Sequence, residues 1–80
     1  MANLNLETIQ KIRESKILKA KLQIALDKSA PTIQRYLDDN DVMLTTVDAI
    51  KVISEVTGLN QDEMLENEKD EFVDIHNNIG

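Results

Sequence analysis

Apolar residues along this chain recur three and four positions apart, and the β-branched ones follow that spacing instead of alternating, which is the pattern of helices with one buried face. Leu6, Ile9 and Ile12 form a first stripe; Asn5 is placed to cap it and Glu7 suits the first-turn dipole, so a helix is predicted over 5–14. Leu18, Leu22, Ala25 and Leu26 form a second stripe over 16–26. Ser15 can cap it, although one continuous helix fits the same spacing. Asp27-Lys28-Ser29-Ala30-Pro31 then breaks the pattern. Ser29 is a good cap, and Pro31 is tolerated in a first turn, where its missing N–H would have had no partner. Ile33, Tyr36 and Leu37 supply the apolar face of a third helix over 30–38, which Asp38-Asp39-Asn40-Asp41 closes.

Val42-Met43-Leu44 is an apolar patch in the polar loop that follows. Thr45 with Asp48 three residues later resembles a capping box. Val47, Ile50, Ile53 and Val56 then make a stripe over 46–57, and Gly58 stands just past it, where a left-handed residue is needed. Asn60 with Glu63 is a second capping signature and opens a helix over 61–67 with Met64 and Leu65 apolar. Residues 68–80 are mostly charged or amide-bearing. The expected architecture is therefore all-α: a compact bundle of about five short helices over 1–67 and an acidic C-terminal tail over 68–80. Leu22, Ala25, Leu26, Ile33, Tyr36, Val47, Ile50, Ile53 and Leu65 are the expected core.

With 80 residues the chain has room for one domain. It has no Cys to form a disulfide, so a helical core or a partner subunit must supply its stability. No apolar run approaches the length of a membrane span, and Met1-Ala2-Asn3-Leu4-Asn5 lacks the basic and apolar regions of a secretory signal. Together with the missing Cys, these features place the expected location in the cytoplasm.

The charge is divided along the chain. Residues 1–37 carry seven basic groups (Lys11, Arg13, Lys16, Lys19, Lys21, Lys28, Arg35) against Glu7, Glu14 and Asp27, whereas 38–80 carry only Lys51 and Lys69 against twelve carboxylates. The total is -6. Such asymmetry hints at a nucleic-acid face with an acidic remainder, although a solvated helical surface produces it as well.

Little in the chain points to catalysis. There is no Cys, and the only His is His76 in the tail, so no nucleophile–base–orienter set is evident. The carboxylates are many, but an acid–base pair needs a pocket that separates their pKa values. Asp39 and Asp41 begin like a calcium loop, yet Met43 stands where a ligand is needed and Leu44 where the sharp turn requires Gly. No enzyme activity, cofactor, metal or small-molecule substrate is expected.

What remains is 16–37: two short helices, a tight polar turn, and a second helix that begins with short polar side chains close to Lys and Arg. That arrangement suits entry into a DNA major groove. The segment Leu26-Asp27-Lys28-Ser29-Ala30-Pro31-Thr32-Ile33-Gln34-Arg35-Tyr36 resembles the turn and recognition helix of lambda-repressor/Cro-like helix-turn-helix domains. Val47–Ile53 and Thr57–Leu65 resemble that family's fourth and fifth helices, so the resemblance covers residues 6–66. Asp27 takes the place of the family's usual Gly, and Asp tolerates a left-handed backbone better than most residues.

The resemblance implies a sequence-specific DNA-binding transcriptional regulator acting as a homodimer on double-stranded DNA. By matching positions, Ser29, Ala30, Pro31, Thr32 and Gln34 would face bases, and Lys19, Lys28 and Arg35 would hold phosphates. A different class of function is also open: a helix-turn-helix-shaped protein-interaction module that does not bind DNA, since duplex DNA repels an acidic protein whose basic face is poorly segregated. Met64, Leu65, Phe72 and Ile75 could form a dimer surface or fold back on the core.

Overall fold

The computed structural model describes residues 3–66. They form five α-helices and one 3-10 turn: α1 Leu6–Arg13, α2 Lys16–Leu26, α3 Ala30–Asp39, the 3-10 turn Val42–Thr45, α4 Val47–Thr57 and α5 Gln61–Met64. The all-α bundle read from the sequence is thus the architecture of the described part. The tail over 68–80, with Phe72 and Ile75, lies outside the described residues.

The helix starts follow the side chains that cap them. Asn5 accepts from Thr8 N at 2.8 Å and Ser15 from Leu18 N at 3.1 Å. Ser15 has extended backbone, so α1 and α2 are separate helices. At α5 the box is reciprocal: Asn60 Oδ1 accepts from Glu63 N at 3.0 Å while Glu63 Oε1 accepts from Asn60 N at 2.9 Å. The cap of α4 differs from expectation. Thr46, not Thr45, accepts from Ala49 N at 3.4 Å, and the Thr45 hydroxyl donates to the Val42 carbonyl at 2.7 Å, closing the 3-10 turn. Asp41 caps that turn through Met43 N at 2.9 Å.

This shift of one residue moves the start of the helix and leaves its inward stripe in place. Val47 becomes the first residue of α4 and is 83% exposed, so its place in the expected core is corrected. Ile53 is buried as expected and Ala49 joins it, with Ile50 and Val52 packed beside them. Ala25, Leu26 and Leu65 are only half-buried. Leu4, Ile12, Leu18, Leu22, Ile33, Leu37, Leu44 and Met64 complete an interior closed to solvent. Each such aliphatic side chain contributes about 1.5–3 kcal/mol by leaving water. α2 is the central element: it packs chiefly on α4 and also touches α1 and α3.

The first and last described residues hold each other. Leu4 and Leu65 form an isolated antiparallel bridge, with Asn5 N donating to the Met64 carbonyl at 2.7 Å and Glu66 N to the Asn3 carbonyl at 2.8 Å. This bridge ends α5 at Met64, three residues short of the expected end. It also seals Met64 in the interior, which removes it from the proposed dimer surface.

Candidate nucleic-acid interface

The turn between α2 and α3 is set by one left-handed residue. Asp27 has φ 54° and ψ 50°, a conformation that Asp accepts more readily than bulkier L-residues. Its N–H donates to the Ile24 carbonyl at 3.3 Å and the Lys28 N–H to the Gln23 carbonyl at 3.0 Å. These are the two hydrogen bonds of a Schellman ending, and they satisfy carbonyls that the last turn of α2 leaves free. Ser29 returns to extended backbone and caps α3: its Oγ lies 3.4 Å from Thr32 N and 3.1 Å from the Thr32 hydroxyl. Pro31 occupies the first turn.

α3 buries Ile33, Tyr36 and Leu37 against the core and turns the rest outward. Lys28, Ser29, Ala30, Pro31, Gln34 and Arg35 are exposed, while Thr32 and Lys19 are half-buried. The Arg35 guanidinium stands 6.0 Å from the centre of the Tyr36 ring, at the outer limit of a cation–π contact.

A cleft of about 270 Å³ runs between α2 and α3 and is lined by Lys16, Lys19, Gln23, Ala30, Ile33 and Gln34. The structure therefore brings Lys19, Ala30 and Gln34 together across the two helices. Lys28, Ser29, Pro31, Thr32 and Arg35 lie outside this lining, on the turn and the outer side of α3. Lys16 belongs to the cleft and was absent from the sequence-derived set. Its position three residues before Lys19 on one helix was the signal for it.

No family model, curated protein or solved structure matches the chain.

The acidic groups at the C-terminal end of α3 and just after it are each engaged differently, and Asp38 reaches the candidate interface through Gln34, whose Nε2 donates to it at 3.0 Å. Asp38 pairs with Arg13 at 3.1 Å, the one ion pair among the described residues. Asp41 is engaged as the cap of the 3-10 turn. Asp39 is exposed at the last position of α3, and about 13 Å of helix separates it from Ala30 at 1.5 Å per residue. Between Lys16 and Leu37 the chain holds Lys16, Lys19, Lys21, Lys28 and Arg35 against Asp27 alone. Among the described residues, no group of three or more His, Cys, Asp or Glu is placed to hold a metal ion, and no helix is long and apolar enough to cross a membrane.

Proposed function

We propose that this protein is a cytoplasmic, non-enzymatic regulator of transcription that binds double-stranded DNA sequence-specifically as a homodimer, with α3 in the major groove. One observation carries the reading. A capped, Pro-started helix with an exposed polar first half follows a tight left-handed turn, and beside it α2 supplies Lys16 and Lys19 across a shallow cleft. A helix presented in this way offers backbone N–H groups and short side chains to base edges while the lysines meet phosphates. Ser29, Ala30, Pro31, Thr32 and Gln34 are the proposed base-facing residues. Lys19, Lys28 and Arg35, joined by Lys16, are the proposed phosphate-binding ones. The reading needs no cofactor.

The test is selection from random duplex DNA by the purified chain at low and at physiological salt. A palindromic consensus is expected, with affinity falling steeply as salt rises, because a dimer that neutralises about six to ten phosphates releases that many counterions. A folded protein that retains no DNA even at low salt would send the search to a protein partner. That second reading has its own support: the chain is net -6, and Leu6, Ile24 and Val47 are each at least 80% exposed.

A further inference from the structure

We propose that Asp38 restricts Gln34 to reading adenine, so that each DNA half-site carries an A·T pair where this side chain enters the groove. The inference rests on the DNA-binding reading and deepens it at one position.

Gln34 is exposed on α3 and lines the cleft with Lys19 and Ala30. Its Nε2 donates to Asp38 Oδ1, one turn further on, at 3.0 Å. The same carboxylate oxygen accepts from Arg13 Nη2 at 3.1 Å, and that guanidinium nitrogen also donates to the Leu37 carbonyl at 3.3 Å. Arg13 belongs to α1, so the carboxylate is held from outside the helix on which it sits.

An ionised carboxylate only accepts hydrogen bonds, so the end of the Gln34 amide that faces it is the NH2. One N–H is thereby taken. Gln34 has one N–H and its Oε1 left to offer a base. Adenine presents one acceptor, N7, and one donor, N6, in the major groove, which is the complement of that pair. Guanine presents two acceptors, N7 and O6, so the one free N–H meets only one of them, Oε1 faces the other acceptor, and a two-bond contact would need the N–H that Asp38 already holds. Asp38 is thus a positioning residue. It leaves the amide able to bind but removes the second donor that would let it accept guanine. A Gln–Asp pair one turn apart also steadies an exposed helix, and that role alone would alter stability while leaving base preference unmoved.

The experiment is the duplex selection performed with the full chain, with Gln34→Ala and with Asp38→Ala, each checked for helical content. The wild-type consensus is expected to hold one position per half-site that favours A over G by about tenfold or more. Gln34→Ala should flatten that position alone. Asp38→Ala should admit guanine there and bring the ratio to within about threefold, a discrimination of a fraction of a kcal/mol. An unchanged A:G ratio in Asp38→Ala would overturn the inference and leave DNA binding standing, whereas a wild-type chain that retains no DNA would overturn both. A readout that needs no variant is the NMR signal of the Gln34 side-chain amide, one proton of which should shift as the Asp38 carboxyl is titrated. Two unmoved protons would also overturn the proposal.

Discussion

Asn3 and Asn40, thirty-seven positions apart, are joined side chain to backbone: Asn3 Nδ2 donates to the Asn40 carbonyl at 2.9 Å, and Asn40 Nδ2 returns a bond of 2.9 Å to the Leu4 carbonyl beside Asn3. Asn40 is also the left-handed residue that ends α3, with φ 50°. One residue therefore closes the proposed recognition helix through its backbone and ties it through its side chain to the segment that clasps α5.

The two roles of Asn40 are separable. Asn40→Gly keeps the left-handed backbone and the bond from Asn3 and loses only the bond to the Leu4 carbonyl, so it should cost about 1 kcal/mol. Asn40→Ala loses the tie and also strains the left-handed turn, which adds about 1–2 kcal/mol. Urea unfolding followed by circular dichroism gives both values. Equal losses would show that the backbone conformation contributes nothing.

Asp27 holds the other left-handed position not occupied by Gly, and there the side chain makes no hydrogen bond among those described. Asp27→Gly should raise stability by several tenths of a kcal/mol, since Gly adopts positive φ without a Cβ penalty, a gain partly offset by the freer unfolded chain. Asp27→Val should lower it by about 1–2 kcal/mol. A melting temperature that falls on Asp27→Gly would contradict this account of the turn.

Thr8 is fully buried in α1, and its hydroxyl has no hydrogen-bond partner among the described residues. A buried polar group without a partner costs about 1–3 kcal/mol, and Val has nearly the same shape. Thr8→Val should stabilise the fold by about 1 kcal/mol. A loss of stability would mean that the hydroxyl is satisfied in solution.

Lys16 is the residue that the cleft adds to the proposed interface. Lys16→Ala should weaken DNA binding about equally for all sequences and, in a dimer, reduce the magnitude of the salt slope by about 2, since two counterion releases are lost. Arg35→Ala should weaken binding by about 1–3 kcal/mol. Fluorescence anisotropy at several salt concentrations measures both. An unaltered slope in Lys16→Ala would remove it from the phosphate-binding set.

The sequence was most legible where a local device decides the structure. Asn5, Ser15, Ser29 and Asn60 all cap the helices that their positions predict, because the cap is a contact within three residues. It was least legible where distant segments meet. Leu44 reads as part of an apolar patch in a polar loop, yet it is fully buried, because the capping of Asp41 and the hydroxyl of Thr45 wind that loop into a 3-10 turn. Leu4 carries no helical signal and is nonetheless in the core, since its burial depends on Leu65, sixty-one residues later. Val47 fits the stripe of α4 by spacing, but the choice between two adjacent threonines as cap leaves it in solvent. In the candidate interface, the turn and the exposed face of α3 follow from Asp27, Ser29 and Pro31. The link from Arg13 through Asp38 to Gln34 spans two helices, and no local pattern reports it.

The antiparallel bridge between Leu4 and Leu65 has a mechanical consequence. Residues 3 and 66 stand side by side at one corner of the described part, so a load applied between them peels the Asn3–Glu66 hydrogen bond before the Asn5–Met64 one, and does not shear both together. The clasp resists thermal opening, which must expose Met64 and Leu4 at once, yet yields stepwise to a pull. The same neighbourhood lets a short linker join Glu66 to Asn3 without disturbing any helix among the described residues, so 3–66 can be cut open elsewhere and still close.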